Sequence, residues 1–97
     1  MLERRVEEAM VQAARLVGGW ALKWVSPGQD GVPDRIVLQP VPDHHRDIVA
    51  QYVSFVELKA PGEQPTPIQM AVHKRLRALG FQVDVVDTVE AAHAYFS

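Results

Sequence analysis

Two short apolar runs, 34–39 and 53–59, constrain this chain more than any other feature, because each carries charge where a strand meets its turn. The second, Val53-Ser54-Phe55-Val56-Glu57-Leu58-Lys59, is rich in β-formers, and a strand there sends successive side chains to opposite faces. Phe55, Glu57 and Lys59 then share one face, and Ser54, Val56 and Leu58 the other. The first run follows Gly31-Val32-Pro33 and opens on Asp34 before Arg35-Ile36-Val37-Leu38. Paired as a hairpin, the two strands would bring Asp34 and Glu57 together at one end, with Lys59 beside them. Two carboxylates can hold a divalent cation, and an adjacent lysine can orient or activate a water. A surface ion pair is the plainer reading of Glu57 and Lys59 and would be worth little. Apolar neighbours on both faces favour an interior strand, and a charged pair at its end favours a site.

Helical and turn signals surround these strands. The spacing of Val6, Met10, Ala13, Ala14 and Val17 predicts a helix over 3–17, stopped by Gly18-Gly19. Glu7 shares a face with Met10, Val11 and Ala14, whereas Glu8 shares one with Gln12 and Arg15 and is the solvated acid. A carboxylate at the apolar border needs a reason. Decoration of a helix N-terminus, worth roughly 0.3–1 kcal/mol, is the alternative to a functional role. Residues 20–25 read as a strand with Trp20, Leu22 and Trp24 on one face; the rings fit a core better than a base-stacking platform. Lys23 points the other way, toward a phosphate or water.

The loop 26–33 has the glycines and prolines of a turn, and its Asp30 is a less rigid alternative to Asp34. His44 and His45, flanked by Asp43 and Asp47, read as a solvated hairpin tip, since neighbouring histidines diverge instead of meeting on one ion. Thr66-Pro67 opens the next helix as N-cap and first residue, with Ile68, Val72, Leu76 and Leu79 as its expected buried stripe and Gly80 as its stop. Gln69 falls in its first turn, just off that stripe. Lys74, Arg75 and Arg77 form the densest basic run, suited to a DNA path or to a solvated helix back. A last strand over 81–86 leads into Asp87-Thr88-Val89-Glu90, which reads as a capping box opening a C-terminal helix.

The resulting order, αβββαβα, predicts an α/β fold in which a mixed β-sheet is flanked by helices. With 97 residues of which 47% are apolar, the chain suits one domain spanning 1–97 and is not disordered. The absence of cysteine excludes a disulfide framework and a zinc–thiolate centre. A net charge of −2 is low for a partner of phosphates, although acids gathered around a metal would not face nucleic acid. No apolar run reaches membrane length, so no membrane partner is expected and a soluble, cytoplasmic protein is.

Taken in order, Val6-Glu7, Gly18-Gly19, Ser26-Pro27-Gly28, Gly31-Val32-Pro33-Asp34-Arg35, Val56-Glu57-Leu58-Lys59-Ala60 and Pro67-Ile68-Gln69 resemble the motifs of the VRR-NUC family, within the PD-(D/E)xK nuclease superfamily. They span nearly the whole chain. The resemblance implies a restriction-endonuclease-like core and hydrolysis of DNA phosphodiesters with Mg²⁺ or Mn²⁺. Asp34, Glu57, the Leu58 carbonyl and Glu7 would surround the metal; Lys59 and Gln69 would handle the attacking water; Lys23, Arg35 and Lys74 are candidate DNA contacts. It also implies a branched or junction DNA substrate of the Holliday-junction-resolvase kind, a homodimer, and a phage or bacterial origin. A flap- or nick-directed nuclease, or a non-catalytic DNA-binding or assembly module on the same fold, are the rival expectations.

Overall fold

Glycines end the two long helices of this protein, threonines cap two helix starts, and the strands occupy the intervals. The computed structural model describes residues 2–96. In order, these form helix α1 (Leu2–Leu16), strand β1 (Trp20–Lys23), strand β2 (Arg35–Leu38), a 3₁₀ turn at Asp43–His45, helix α2 (Arg46–Ala50), strand β3 (Ser54–Leu58), helix α3 (Pro67–Leu79), strand β4 (Gln82–Val86) and helix α4 (Val89–Ala94). The fold is mixed α/β, with helices and two small sheets, in keeping with the nuclease-like core expected from the motifs. The chain divides after Pro40 into two compact units.

In the first unit, α1 ends in a Schellman motif. Gly18, at φ 75°, donates its N–H to Arg15 O, and Gly19 donates to Ala14 O at 2.8 Å. The chain then enters β1, which pairs antiparallel with β2 in the register Trp20–Leu38 to Lys23–Arg35. The Trp24 N–H to Asp34 O bond extends the ladder by one residue. Ala14, Ala21 and Leu38 are the buried apolar residues here. The rings on β1 are therefore not the core that the sequence suggests: Trp20 is half-buried and Trp24 exposed, while Ala21 on the opposite face is buried. Of the apolar row on α1, Ala14 alone is buried, and Val6, Met10 and Val17 are exposed.

The second unit is a β3–α3–β4 crossover followed by α4. β3 and β4 are parallel, with Glu57 opposite Val85 and Leu58 opposite Val86, a geometry that needs a long crossover, supplied here by α3. α3 begins with a full capping box: Thr66 Oγ1 accepts from Gln69 N and Gln69 Oε1 accepts from Thr66 N. It ends in a second Schellman motif, Gly80 N to Arg77 O and Phe81 N to Leu76 O, with Gly80 at φ 104°. Leu76, Leu79, Val83 and Val86 form the buried cluster, and Phe55 and Phe81 meet edge to face. Tyr95 pins the C-terminal segment to the strands, its Oη 2.8 Å from Asp84 Oδ2 and 2.7 Å from Ser54 Oγ.

Four expectations change. β2 pairs with β1 and β3 with β4, and the connection between β2 and β3 holds the 3₁₀ turn and α2 in place of a hairpin tip. β3 is covered along one face, where Phe55, Glu57 and Lys59 are half-buried; on the other, Val56 and Leu58 are exposed and Ser54 alone is half-buried, beside Tyr95. The buried stripe of α3 is also rotated in its first two turns. Ile68 is 79% exposed, and Gln69 and His73 face inward with Leu76 and Leu79. The helix there covers a charged strand end, which calls for donors instead of methyl groups. Finally, α4 is capped by Thr88, whose Oγ1 accepts from Ala91 N, and Asp87 instead accepts from Gly62 N. The capping box belongs to α3.

Candidate active site

Glu57 is held at both of its carboxylate oxygens by side chains of α3. Strand alternation turns it toward α3, and its side chain is 24% exposed. Gln69 Nε2 donates to Oε2 at 3.3 Å, and His73 Nε2 lies 3.1 Å from Oε1. Burial of a carboxylate is costly unless its oxygens are hydrogen-bonded, and both are. Residues 69 and 73, one helical turn apart, reach the same carboxylate from one face of α3. The amide of Gln69 is oriented by the backbone: its Oε1 is committed to Thr66 N–H, so its NH₂ is the end left for Glu57. An ionised carboxylate only accepts, which assigns the proton of His73 to Nε2.

Two residues beyond Glu57 and on the same face, Lys59 donates its backbone N–H to Val86 O at 3.0 Å and is half-buried. Its ammonium makes no ion pair among the described residues. It borders a recess of about 270 Å³ with Leu58, Pro61, Val86 and Asp87. Leu58 is the last residue of β3 and its side chain is exposed.

Glu7 and Asp34 belong to the first unit, where they line one cleft of about 270 Å³ together with Val6, Met10, Arg35 and Val37. Asp34 stands exposed at the mouth of β2, its carboxylate in no ion pair among the described residues. Glu7 receives Arg35 Nη2 at 3.3 Å, with side-chain exposures of 44% and 23%. Arg35 also donates from Nη1 to Ala21 O at 3.1 Å, and its Nε is buried without a partner among the described residues. Its guanidinium thus ties β1, β2 and α1 together. Glu8 makes an exposed pair with Arg4, as its solvated face implies.

The remaining candidates lie at the surface. Lys23 is exposed opposite Arg35 in the β1–β2 ladder. Lys74 is exposed beside a recess of about 540 Å³ that His73, Arg77 and Val85 also border. Arg77 donates to Val83 O at 2.8 Å. His44 and His45 are exposed with their rings 4.0 Å apart.

The donor chemistry fits a hard divalent cation. Carboxylates are oxygen donors, and Glu57 has about four lone-pair directions of which Gln69 and His73 occupy two. No three His, Cys, Asp or Glu side chains among the described residues form a ready-made cage. Mg²⁺ seldom uses one: it is held by one or two carboxylates, with water and substrate phosphate completing the shell.

His73 is the residue that the motif reading missed. The signal was present, since residues 69 and 73 stand four apart and must share a helix face, but the apolar row Ile68–Val72 drew the predicted stripe elsewhere. No helix among the described residues is long and apolar enough to cross a membrane.

No family model matches the chain, and no solved structure matches it. A protein of Acyrthosiphon pisum secondary endosymbiont phage 1, named "Putative nuclease p44", is 48% identical to it over 86 residues, covering 89% of this chain and 83% of that protein.

Proposed function

Since the chain belongs to the family of the phage protein named "Putative nuclease p44", we propose that it is a metal-dependent DNA endonuclease of the PD-(D/E)xK superfamily, of the VRR-NUC type. One observation of the structure carries this reading. A half-buried glutamate at a strand end is held by two donors from α3, and two residues on stands a lysine that makes no ion pair among the described residues. A carboxylate needed only for the fold would be simpler to replace with an apolar residue.

In this reading Asp34 and Glu57 are the carboxylates assigned to Mg²⁺ or Mn²⁺, with the Leu58 carbonyl and Glu7, directly or through water, completing the protein's share. The bound ion supplies charge neutralisation at the scissile phosphate and a more acidic water. Lys59 orients the attacking water or stabilises charge developing on the phosphoryl oxygens. Gln69 and the helix start behind it keep Glu57 in place. Water adds at phosphorus as one P–O ester bond breaks; the water gives a proton to solvent, and the departing sugar oxygen takes one from solvent to leave as a hydroxyl. Lys23 and Lys74 are assigned to phosphate contacts, which position DNA without reading its sequence. For substrate we propose branched DNA, cut by a homodimer. A two-fold pair of sites would address two opposed strands.

The test is cleavage of labelled four-way junction, flap and plain duplex DNA in Mg²⁺ or Mn²⁺, with EDTA as control. Asp34→Ala, Glu57→Gln and Lys59→Ala should each lower cleavage by at least about a hundredfold, the scale of lost transition-state stabilisation by one charged group, while melting like the wild type. Paired symmetric cuts in the junction are the expected pattern. A folded protein that binds Mn²⁺ and cuts none of the three DNAs would replace this reading with a non-catalytic DNA-binding or assembly module.

A further inference from the structure

His73 is 7% exposed, and its Nε2 bonds a carboxylate to which the proposed chemistry assigns a metal. It sits mid-helix, in a row otherwise completed by Leu76 and Leu79. If that row served packing alone, a leucine at 73 would extend the apolar surface already present at 76 and 79. A histidine instead brings a ring N–H that must be satisfied, and it finds Glu57.

Gln69 fixes Oε2 and His73 fixes Oε1. A carboxylate held at one oxygen can still swing about its terminal torsion, which is broad and soft. Held at both, it keeps one orientation, and its unused lone pairs point in fixed directions. The anchors are themselves rigid: Gln69 is locked by the capping box and His73 by burial. Partners of this kind, one step removed from a metal, commonly set ligand orientation and so metal affinity.

We propose that His73 is a positioning residue for the metal-bearing carboxylate, clamping Glu57 Oε1 through Nε2–H so that the free lone pairs of Glu57 face the cation. The proposal rests on the nuclease reading above. His73 touches neither substrate nor reacting atoms; it acts through Glu57.

The experiment is Mn²⁺ binding by titration calorimetry to wild type, His73→Leu, His73→Gln, Glu57→Gln and the Glu57→Gln/His73→Leu double variant, with melting curves for each. His73→Leu should bind Mn²⁺ about 10–100-fold more weakly, the usual effect of removing such a partner. His73→Gln, whose amide nitrogen overlays the ring Nε2, should recover most of that loss. In the Glu57→Gln background the leucine substitution should cost nothing further. Should leucine fail to fold, His73→Asn gives the same comparison, because its shorter amide stops short of Glu57. Unchanged Mn²⁺ affinity in a folded His73→Leu, or equal losses in Gln and Leu, overturns the positioning role and leaves the nuclease reading standing. A folded wild type that binds no Mn²⁺ overturns both.

Discussion

Replacing Gly80 with alanine tests the geometry that delivers His73 and Gln69 to Glu57. Gly80 is buried at φ 104°, ψ 14°, and ends α3. A side chain in a left-handed conformation costs roughly 1–2 kcal/mol. A Cβ would also lie 2.9 Å from Val41 Cβ and 3.0 Å from Val41 O, neither of which can swing aside, and 2.9 Å from Arg46 Nε, which can. Overpacking of that kind costs roughly 1–3 kcal/mol. Together the terms predict a loss of roughly 2–5 kcal/mol, and at roughly 4–8 °C per kcal/mol for a chain of this size the melting temperature should fall by at least about 8 °C. Three controls separate the causes. Gly62→Ala has the strain alone, at φ 83° with nothing within 4 Å; Gly19→Ala has the clash alone, 2.7 Å from Leu38 O; Gly28→Ala has neither. Thermal melts followed by far-ultraviolet circular dichroism should rank Gly80→Ala worst and Gly28→Ala level with the wild type. If Gly80→Ala melts no lower than Gly62→Ala, the crowding around Val41 is not real and the reasoning fails.

Two further substitutions probe how the site residues are held. Thr66→Ala removes the acceptor for Gln69 N and should cost about 1 kcal/mol by urea unfolding, in the range for a lost N-cap. An unchanged midpoint would mean that the box contributes nothing. Arg35→Lys keeps the charge but cannot reach Ala21 O and Glu7 together, so a loss of about 1–2 kcal/mol is expected. Unaltered stability with weakened DNA binding would instead mark Arg35 as chiefly a phosphate contact.

What the sequence made legible was what local chemistry decides. Gly18-Gly19 and Gly80 stop helices because the left-handed residue is cheap only for glycine, and Thr66-Pro67 starts one because both residues suit a helix entrance. The alternation of β3 placed Phe55, Glu57 and Lys59 on one face, and that face is the covered one. Partner choice was less visible. Nothing local distinguishes β2 pairing with β1 from β2 pairing with β3, and α2, at five residues, is too short for helical periodicity to register. The orientation of α3 was misread for a physical reason: apolar spacing assumes an apolar floor, and the start of α3 instead covers a carboxylate. Asp87 and Thr88 are both competent caps, and the extended backbone at Thr88 (φ −138°, ψ 155°) settles the choice.

The amide of Gln69 serves two neighbours at once, and that narrows which residue position 69 can hold. Glutamate and glutamine are interchangeable in a capping box, since either offers the carbonyl-type oxygen that the N-cap N–H requires. Glutamate here would satisfy Thr66 equally well and then set a second negative oxygen where Gln69 Nε2 now stands, 3.3 Å from Glu57 Oε2. Slow hydrolysis of this single amide in an ageing sample is thus the smallest covalent change that preserves the helix start while turning one arm of the Glu57 clamp from attraction to repulsion.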